Sequence, residues 1–187
     1  KIKTSLADKI QTDVNVTAIK REGSGALLSI EGEGDVWFDK VVLAAHADES
    51  LALIADPSEA ETDILSAFSF ADNHVYLHSD ETLMPRNRQA WGAWNYRAEQ
   101  DGRLSVTYWM NRLQSIDNRV PLFVSLNPAA APSPETIHAE ADYQHPIFDT
   151  QAIQAQSRLS EIQGKNSLYV CGAWTANGFH EDGLKSA

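Results

Sequence analysis

Cysteine is nearly absent from this chain of 187 residues, where Cys171 stands alone. A lone thiol excludes an internal disulfide and any cysteine-cluster metal site. It fits a reducing, cytoplasmic compartment. Positive charge is scarce as well: 15 Lys and Arg face 26 Asp and Glu, a net charge of −11. Phosphates are repelled by such a surface, so neither nucleic acid nor an anionic membrane is an expected partner. Apolar runs are short. The longest near-continuous one is Val41 to Ala45, far below the ~18 residues of a membrane span. The dinucleotide fingerprint G-x-G-x-x-G is missing too. Gly23-Ser-Gly25 and Gly32-Glu-Gly34 each lack the third glycine and neither lies between a strand and a helix, so both read as turns. No repeat, no low-complexity segment and no Ser/His/Asp order stands out.

What is present is enough for a core: 43% of the residues are apolar, with five Trp, five Tyr and six Phe. Asn15 to Ile19, Ala26 to Ile30 and Val36 to Phe38 read as short strands with polar turns between them, a small antiparallel meander. Val41 to Ala45 is a continuous apolar run, as in a strand buried on both faces. Ala47 to Ala55 reads as a helix, with His46 either capping it or lying near a cofactor. Ser58 with Glu61 three residues on is a capping box, opening a helix to about Phe68 with Ile64, Leu65 and Phe68 on one face. From Asn73 the pattern turns to strands: His74 to His78, Ala90 to Tyr96, Leu104 to Met110 and Leu122 to Leu126. Trp91 and Trp94 are expected on opposite faces of one strand. An Asp101-Gly102 turn makes a hairpin, and Leu113 to Ile116 either extends a strand or forms a helical turn. Thr150 to Ile162 is helical, with Ala152, Ala155, Leu159 and Ile162 on one stripe and Gly164 ending it. The pattern is α+β: strands with flanking helices, plus a small meander and a terminal strand–helix start.

The closing stretch carries the most information. Leu168 to Cys171 is a buried strand that runs into Gly172, a loop follows, and Gly183-Leu-Lys-Ser-Ala187 begins a helix. Backbone N–H groups beside small side chains let a flat or anionic ligand approach closely. The abrupt start at Lys1-Ile-Lys-Thr4 and the equally abrupt end read as a piece of a larger protein. His74, His78 and Asp80 make a weak candidate metal trio without a further ligand, so no metal is expected.

Gly172, Gly178-Phe-His-Glu-Asp-Gly183 and the residues after them resemble the C-terminal flavin-contacting motif of FAD-dependent amine-oxidase-like and phytoene-desaturase-like proteins. Val41-Val-Leu-Ala-Ala-His-Ala-Asp48, His78-Ser-Asp80 with Met84-Pro-Arg86, Trp91-Gly-Ala-Trp-Asn-Tyr96 and Thr107-Tyr-Trp-Met-Asn-Arg-Leu113 add to the resemblance, which covers most of the chain. It implies a partial FAD-binding domain from residues 1–56 and 164–187, with a substrate-binding domain built on a mixed sheet over 57–163. The glycine-rich first segment would then lie outside the chain. The cofactor-contacting residues it implies are Val16, Gly172, Trp174, Gly178, Phe179, His180, Glu181, Asp182 and Gly183. Ala173-Trp174 after Gly172 departs from the acidic residue many relatives carry there.

Each of these has a plainer role beside it. Val16 is an ordinary strand valine, Trp174 is core, His180 is an exposed loop residue, and Glu181 and Asp182 cap the helix start. Packing alone accounts for most of Trp91, Trp94, Tyr96, Tyr108 and Trp109, though some would line a substrate cavity. The resemblance implies a fragment of a flavin-dependent oxidoreductase that moves hydride from a small-molecule substrate to FAD. No catalytic acid or base is named. The isolated fragment is expected to be inactive and to retain no flavin. The rival is a non-catalytic module that binds a ligand or partner without flavin.

Overall fold

The computed structural model describes residues 6–98, 102 and 104–187. The chain's first five residues and Asp101 of the expected hairpin turn lie outside the described residues. The fold is α+β, and the chain divides into two compact units: residues 1–69 with 146–187, and residues 70–145.

In the first unit, β1 (Val16–Glu22), β2 (Gly25–Ile30) and β3 (Gly34–Phe38) form the antiparallel meander. Ile19 pairs with Leu28 and Leu28 with Val36. Gly25 is required at the start of β2, because a Cβ there would meet the Phe38 carbonyl oxygen at 2.2 Å. The chain continues through β4 (Val41–Leu43), α1 (Ala47–Leu53) and α2 (Glu59–Leu65). His46 is the N-cap of α1, and its N–H donates to Glu49 Oε2 at 3.0 Å. Ser58 and Glu61 form the capping box of α2: Ser58 N donates to Glu61 Oε2 (2.8 Å) and Glu61 N donates to Ser58 Oγ (3.3 Å). Arg21 of β1 ties the meander to that helix start through the Asp56 carbonyl (2.7 Å) and the Glu61 carboxylate.

The second unit is a five-stranded sheet of order β6-β7-β8-β5-β9. Its strands are β5 (Ser69–His78), β6 (Trp94–Ala98), β7 (Leu104–Trp109), β8 (Phe123–Leu126) and β9 (Ile137–Ile147), with α3 (Met110–Gln114) between β7 and β8. The first unit is then completed by α4 (Thr150–Arg158), β10 (Leu168–Val170) and α5 (His180–Ser186). β10 pairs with β4 in parallel. Ala152, Ala155, Leu159 and Ile162 are all buried, and Gly164 turns the chain at φ +69°.

Several expectations are corrected. β4 is not buried on both faces. Val41 and Leu43 are buried but Val42 is 59% exposed, because Val42 alternates onto the uncovered face of a two-stranded pair. Trp91 does not share a strand with Trp94. Asn95 folds back on Gly92, with its Oδ1 accepting from Gly92 N and its Nδ2 donating to Gly92 O, both at 2.9 Å. That turn delays the strand until Trp94. Leu113 lies in the helical turn α3. The edge strand β9 had no place in the sequence reading, because most of its residues are polar and exposed. Among the described residues no helix is long and apolar enough to cross a membrane.

Candidate functional site

The C-terminal segment begins where β10 ends. Cys171 N donates to Leu43 O at 2.9 Å, carrying the parallel ladder one residue further. Gly172 then adopts φ +151°. A Cβ here would approach Trp174 Nε1 to 2.6 Å and Cδ1 to 2.8 Å, so only glycine lets the indole fold over the strand end. Trp174 is 3% exposed. Its Nε1 donates to Ala45 O at 3.1 Å, and its ring meets Phe68 edge-on with centroids 4.7 Å apart. Gln156 of α4 donates to the carbonyls of Trp174 (2.9 Å) and Ala176 (2.6 Å). One indole thus joins β10, β4 and the end of α2 as a core residue, with a satisfied N–H.

The chain next turns at Gly178, whose φ is +87° and whose Cβ position lies 3.0 Å from the Phe148 ring. α5 starts at His180, three residues before the expected start at Gly183. Asp182 explains the early start. Its Oδ2 accepts from Phe179 N (3.0 Å) and Asn177 N (3.2 Å), satisfying donors just ahead of the helix. His180 is therefore a first-turn helical residue rather than a loop residue, and it is exposed. Glu181 is also exposed and lies 3.6 Å from Lys185 Nζ. At the far end Ser186 Oγ accepts from Gly172 N at 2.9 Å and donates to Gly183 O at 2.8 Å. This clasp spans fourteen residues and has no sequence signal; it turns the Ser186 hydroxyl inward. Gly183 has no close neighbour: a Cβ there would meet Ala173 N at 3.5 Å, ordinary contact. Phe179 and Leu184 remain 58% and 74% exposed.

Gly172, Trp174 and Gly178 to Gly183 are thus gathered into one clasped segment. Val16 is not among them; it opens β1 in the meander, paired with Ile30.

In the second unit the candidate metal trio is taken apart by its partners. His78 is fully buried. Its Nδ1 accepts from Asp80 N (3.1 Å), so its proton is on Nε2, which donates to Ser125 Oγ (2.8 Å). Ser125 and Thr107 hydroxyls bond at 2.7 Å. Burial pushes the His78 pKa below its ordinary value. Asp80 spends its oxygens on Thr82 N (2.8 Å) and Ser133 N (2.9 Å). Burial alone would raise the Asp80 pKa, but these donors outweigh it and hold the group at about 2. His74 is half-buried beside Asp142 (2.6 Å) and Glu140 (3.3 Å), and the hydrogen bond to Asp142 chiefly raises its pKa. Among the described residues no group of three or more His, Cys, Asp or Glu could hold a metal ion. Trp91 packs with Met84 and Phe123, while Trp94 and Tyr108 meet edge-on at 5.6 Å.

No protein-family model and no curated protein matches the chain. Solved structures do. Cyclohexylamine oxidase from Brevibacterium oxydans IH-35A matches with TM-score 0.64 and 10% identity, over 99% of this chain and 49% of its own. Wild-type putrescine oxidase bound to putrescine matches with TM-score 0.63 and 12% identity, over 98% and 48%. Reduced UDP-galactopyranose mutase matches with TM-score 0.59 and 10% identity, over 94% and 46%. The chain spans about half the length of these structures. Likeness at such low identity concerns the fold alone: the chain has the fold of about half of each of these structures.

Proposed function

We propose that the chain is part of a flavin-dependent oxidoreductase of the amine-oxidase-like kind, with its C-terminal segment facing the flavin. The observation that carries this reading is the likeness to two amine oxidases over 98% and 99% of the chain, ending in a clasped segment of the expected make-up. On this reading the meander, the β4–β10 pair and α5 belong to the cofactor side, and the five-stranded sheet to the substrate side.

The segment's surface fits a flat ring. Phe179 and Leu184 leave apolar area uncovered on and beside α5, and Gly178 and Gly183 add no bulk between them. A flavin bound there would accept a hydride from a C–N or C–C bond of a small-molecule substrate. The chain's part is to hold and polarise. Trp174 and the Ser186–Gly172 clasp fix where α5 starts. Asp182 N and Gly183 N donate to Phe179 O, whereas the His180 and Glu181 N–H groups have no carbonyl one turn back within the helix and present partial positive charge. Asp182 is occupied by the loop ahead of it and Glu181 points to Lys185, so both serve the helix first.

The test is the visible absorbance of the longer natural protein after gentle purification. An oxidised-flavin band is expected, and Leu184→Asp should deplete it while the far-ultraviolet circular dichroism stays unchanged. The present chain alone is expected to be colourless. A longer protein that folds without flavin, and gains none on incubation with FAD, overturns the proposal in favour of a ligand- or partner-binding module.

A further inference from the structure

The second unit carries a cleft of about 450 Å³ between residues 82–86 on one side and 95–97 on the other. Its size is within the usual range for small-molecule sites. Its charge differs from that of the chain as a whole. Acids outnumber cations 26 to 15 overall, yet among the described residues the lining holds two arginines, Arg86 and Arg97, and no acid. Two other clefts, one in each unit, are lined in part by Asp63 and by Asp72. The acids just before residue 82 are occupied elsewhere: Asp80 by Thr82 N and Ser133 N, and Glu81 by Arg88 at 3.3 Å. Arg86 forms no ion pair or hydrogen bond among the described residues, and it is exposed.

The rest of the lining is built to stay in place. Asn95 bonds to both backbone groups of Gly92, and also to Thr107 O (3.1 Å) and Met84 Sδ (3.6 Å). Trp91 Nε1 donates to Pro85 O at 2.8 Å. Leu83, Met84 and Pro85 give the cleft an apolar wall on a backbone fixed by these bonds. A pre-formed apolar wall beside a guanidinium suits a ligand that is apolar for most of its length and anionic at one end. One guanidinium fork matches the two oxygens of one carboxylate.

We infer that this cleft binds a monocarboxylate with an apolar tail, anchored at Arg86. The inference goes beyond the flavin reading and does not need it, since binding is measured without flavin.

The experiment uses the present chain, isotope-labelled, titrated separately with decanoate, decylamine and inorganic phosphate and followed by backbone amide shifts. Decanoate is expected to move the amides of residues 82–84, 86 and 95–97, and decylamine to leave them in place. Inorganic phosphate should not displace decanoate. Affinity should climb about two- to fourfold per methylene from hexanoate to decanoate. Arg86→Gln should weaken decanoate by roughly tenfold or more, and Arg86→Lys by less. Arg119→Gln, a residue paired with Asp117 in its own loop, should change nothing. Equal binding of decylamine, displacement by phosphate, shifts confined to other residues, or an unchanged affinity in a folded Arg86→Gln variant would each overturn the assignment.

Discussion

The two units are held together by different interiors. The first buries apolar side chains almost throughout: Ile19, Ala26, Ile64, Leu65, Phe68 and Trp174 are each at most 3% exposed. Among the described residues its one deeply buried charge, Glu61, is matched by Arg21 and Ser58. The second places hydroxyls and an imidazole in the middle of its sheet. His78 and Ser125 are fully buried, and Ser105, Thr107 and Asn111 nearly so. A buried apolar side chain can be shortened at the cost of a cavity. A buried polar one cannot lose its partner without leaving a donor or acceptor unmet. The first interior is therefore most sensitive to loss of volume, and the middle of the second sheet to loss of a hydrogen-bond partner.

The largest effect that would sharpen this contrast is expected at Trp174. Trp174→Ala removes the indole that joins three elements and should destabilise by about 3–5 kcal/mol in urea unfolding. A loss under ~1 kcal/mol would mean the first unit is not held by that ring. In the second unit Ser125→Ala changes little volume but strands the His78 Nε2–H and the Thr107 hydroxyl. A cost of about 1–3 kcal/mol is expected, and a neutral result would break the distinction between the two interiors.

Smaller effects follow. Gly183→Ala should stabilise the chain by roughly 0.5–1 kcal/mol, since a helical glycine is replaced where 3.5 Å of ordinary contact is available. A destabilised variant would show that α5 packs more tightly than described. The least effect is expected from pH, because two histidines of one strand oppose each other. His78 has a folded pKa below its ordinary 6.5. Its contribution is present above that value and is lost as pH falls from there through the folded value. His74 is shifted upward, so its contribution is complete below 6.5 and is lost as pH rises through its folded value. Imidazole-resolved NMR titration should show His74 charging first on acidification, with His78 holding its Nε2 proton alone. The reverse order would show that burial does not lower the His78 pKa, and an Nδ1 proton on neutral His78 would remove the assigned tautomer.

Much of the first unit was legible because its signals are local. The meander follows from turn residues at even spacing, and Ser58 with Glu61 marks a helix start within four residues. α4 shows its stripe over one face. The second unit was legible in its apolar strands only. β9 exposes most of its side chains, so no periodicity marks it, and what holds it beside β5 is backbone pairing. At the candidate site the small residues were visible but their reasons were not. Gly172 is glycine because the Trp174 indole lies against it, a contact two residues along the chain. Asp182 was legible as a cap, whereas the helix it caps began earlier than composition suggested.

By itself the sequence determined the α+β class, the absence of disulfide chemistry, the acidic surface and the strand–glycine–helix order at the end, because each depends on composition or on neighbours a few residues apart. Only the tertiary structure decided that Trp174 is core, that Ser186 closes on Gly172, and that His78 is neutral inside a hydroxyl chain. Only it gathered Arg86 and Arg97 into one cleft. These depend on residues up to 129 positions apart, as Trp174 is from Ala45, and such contacts are fixed by which faces the folded strands and helices bury together.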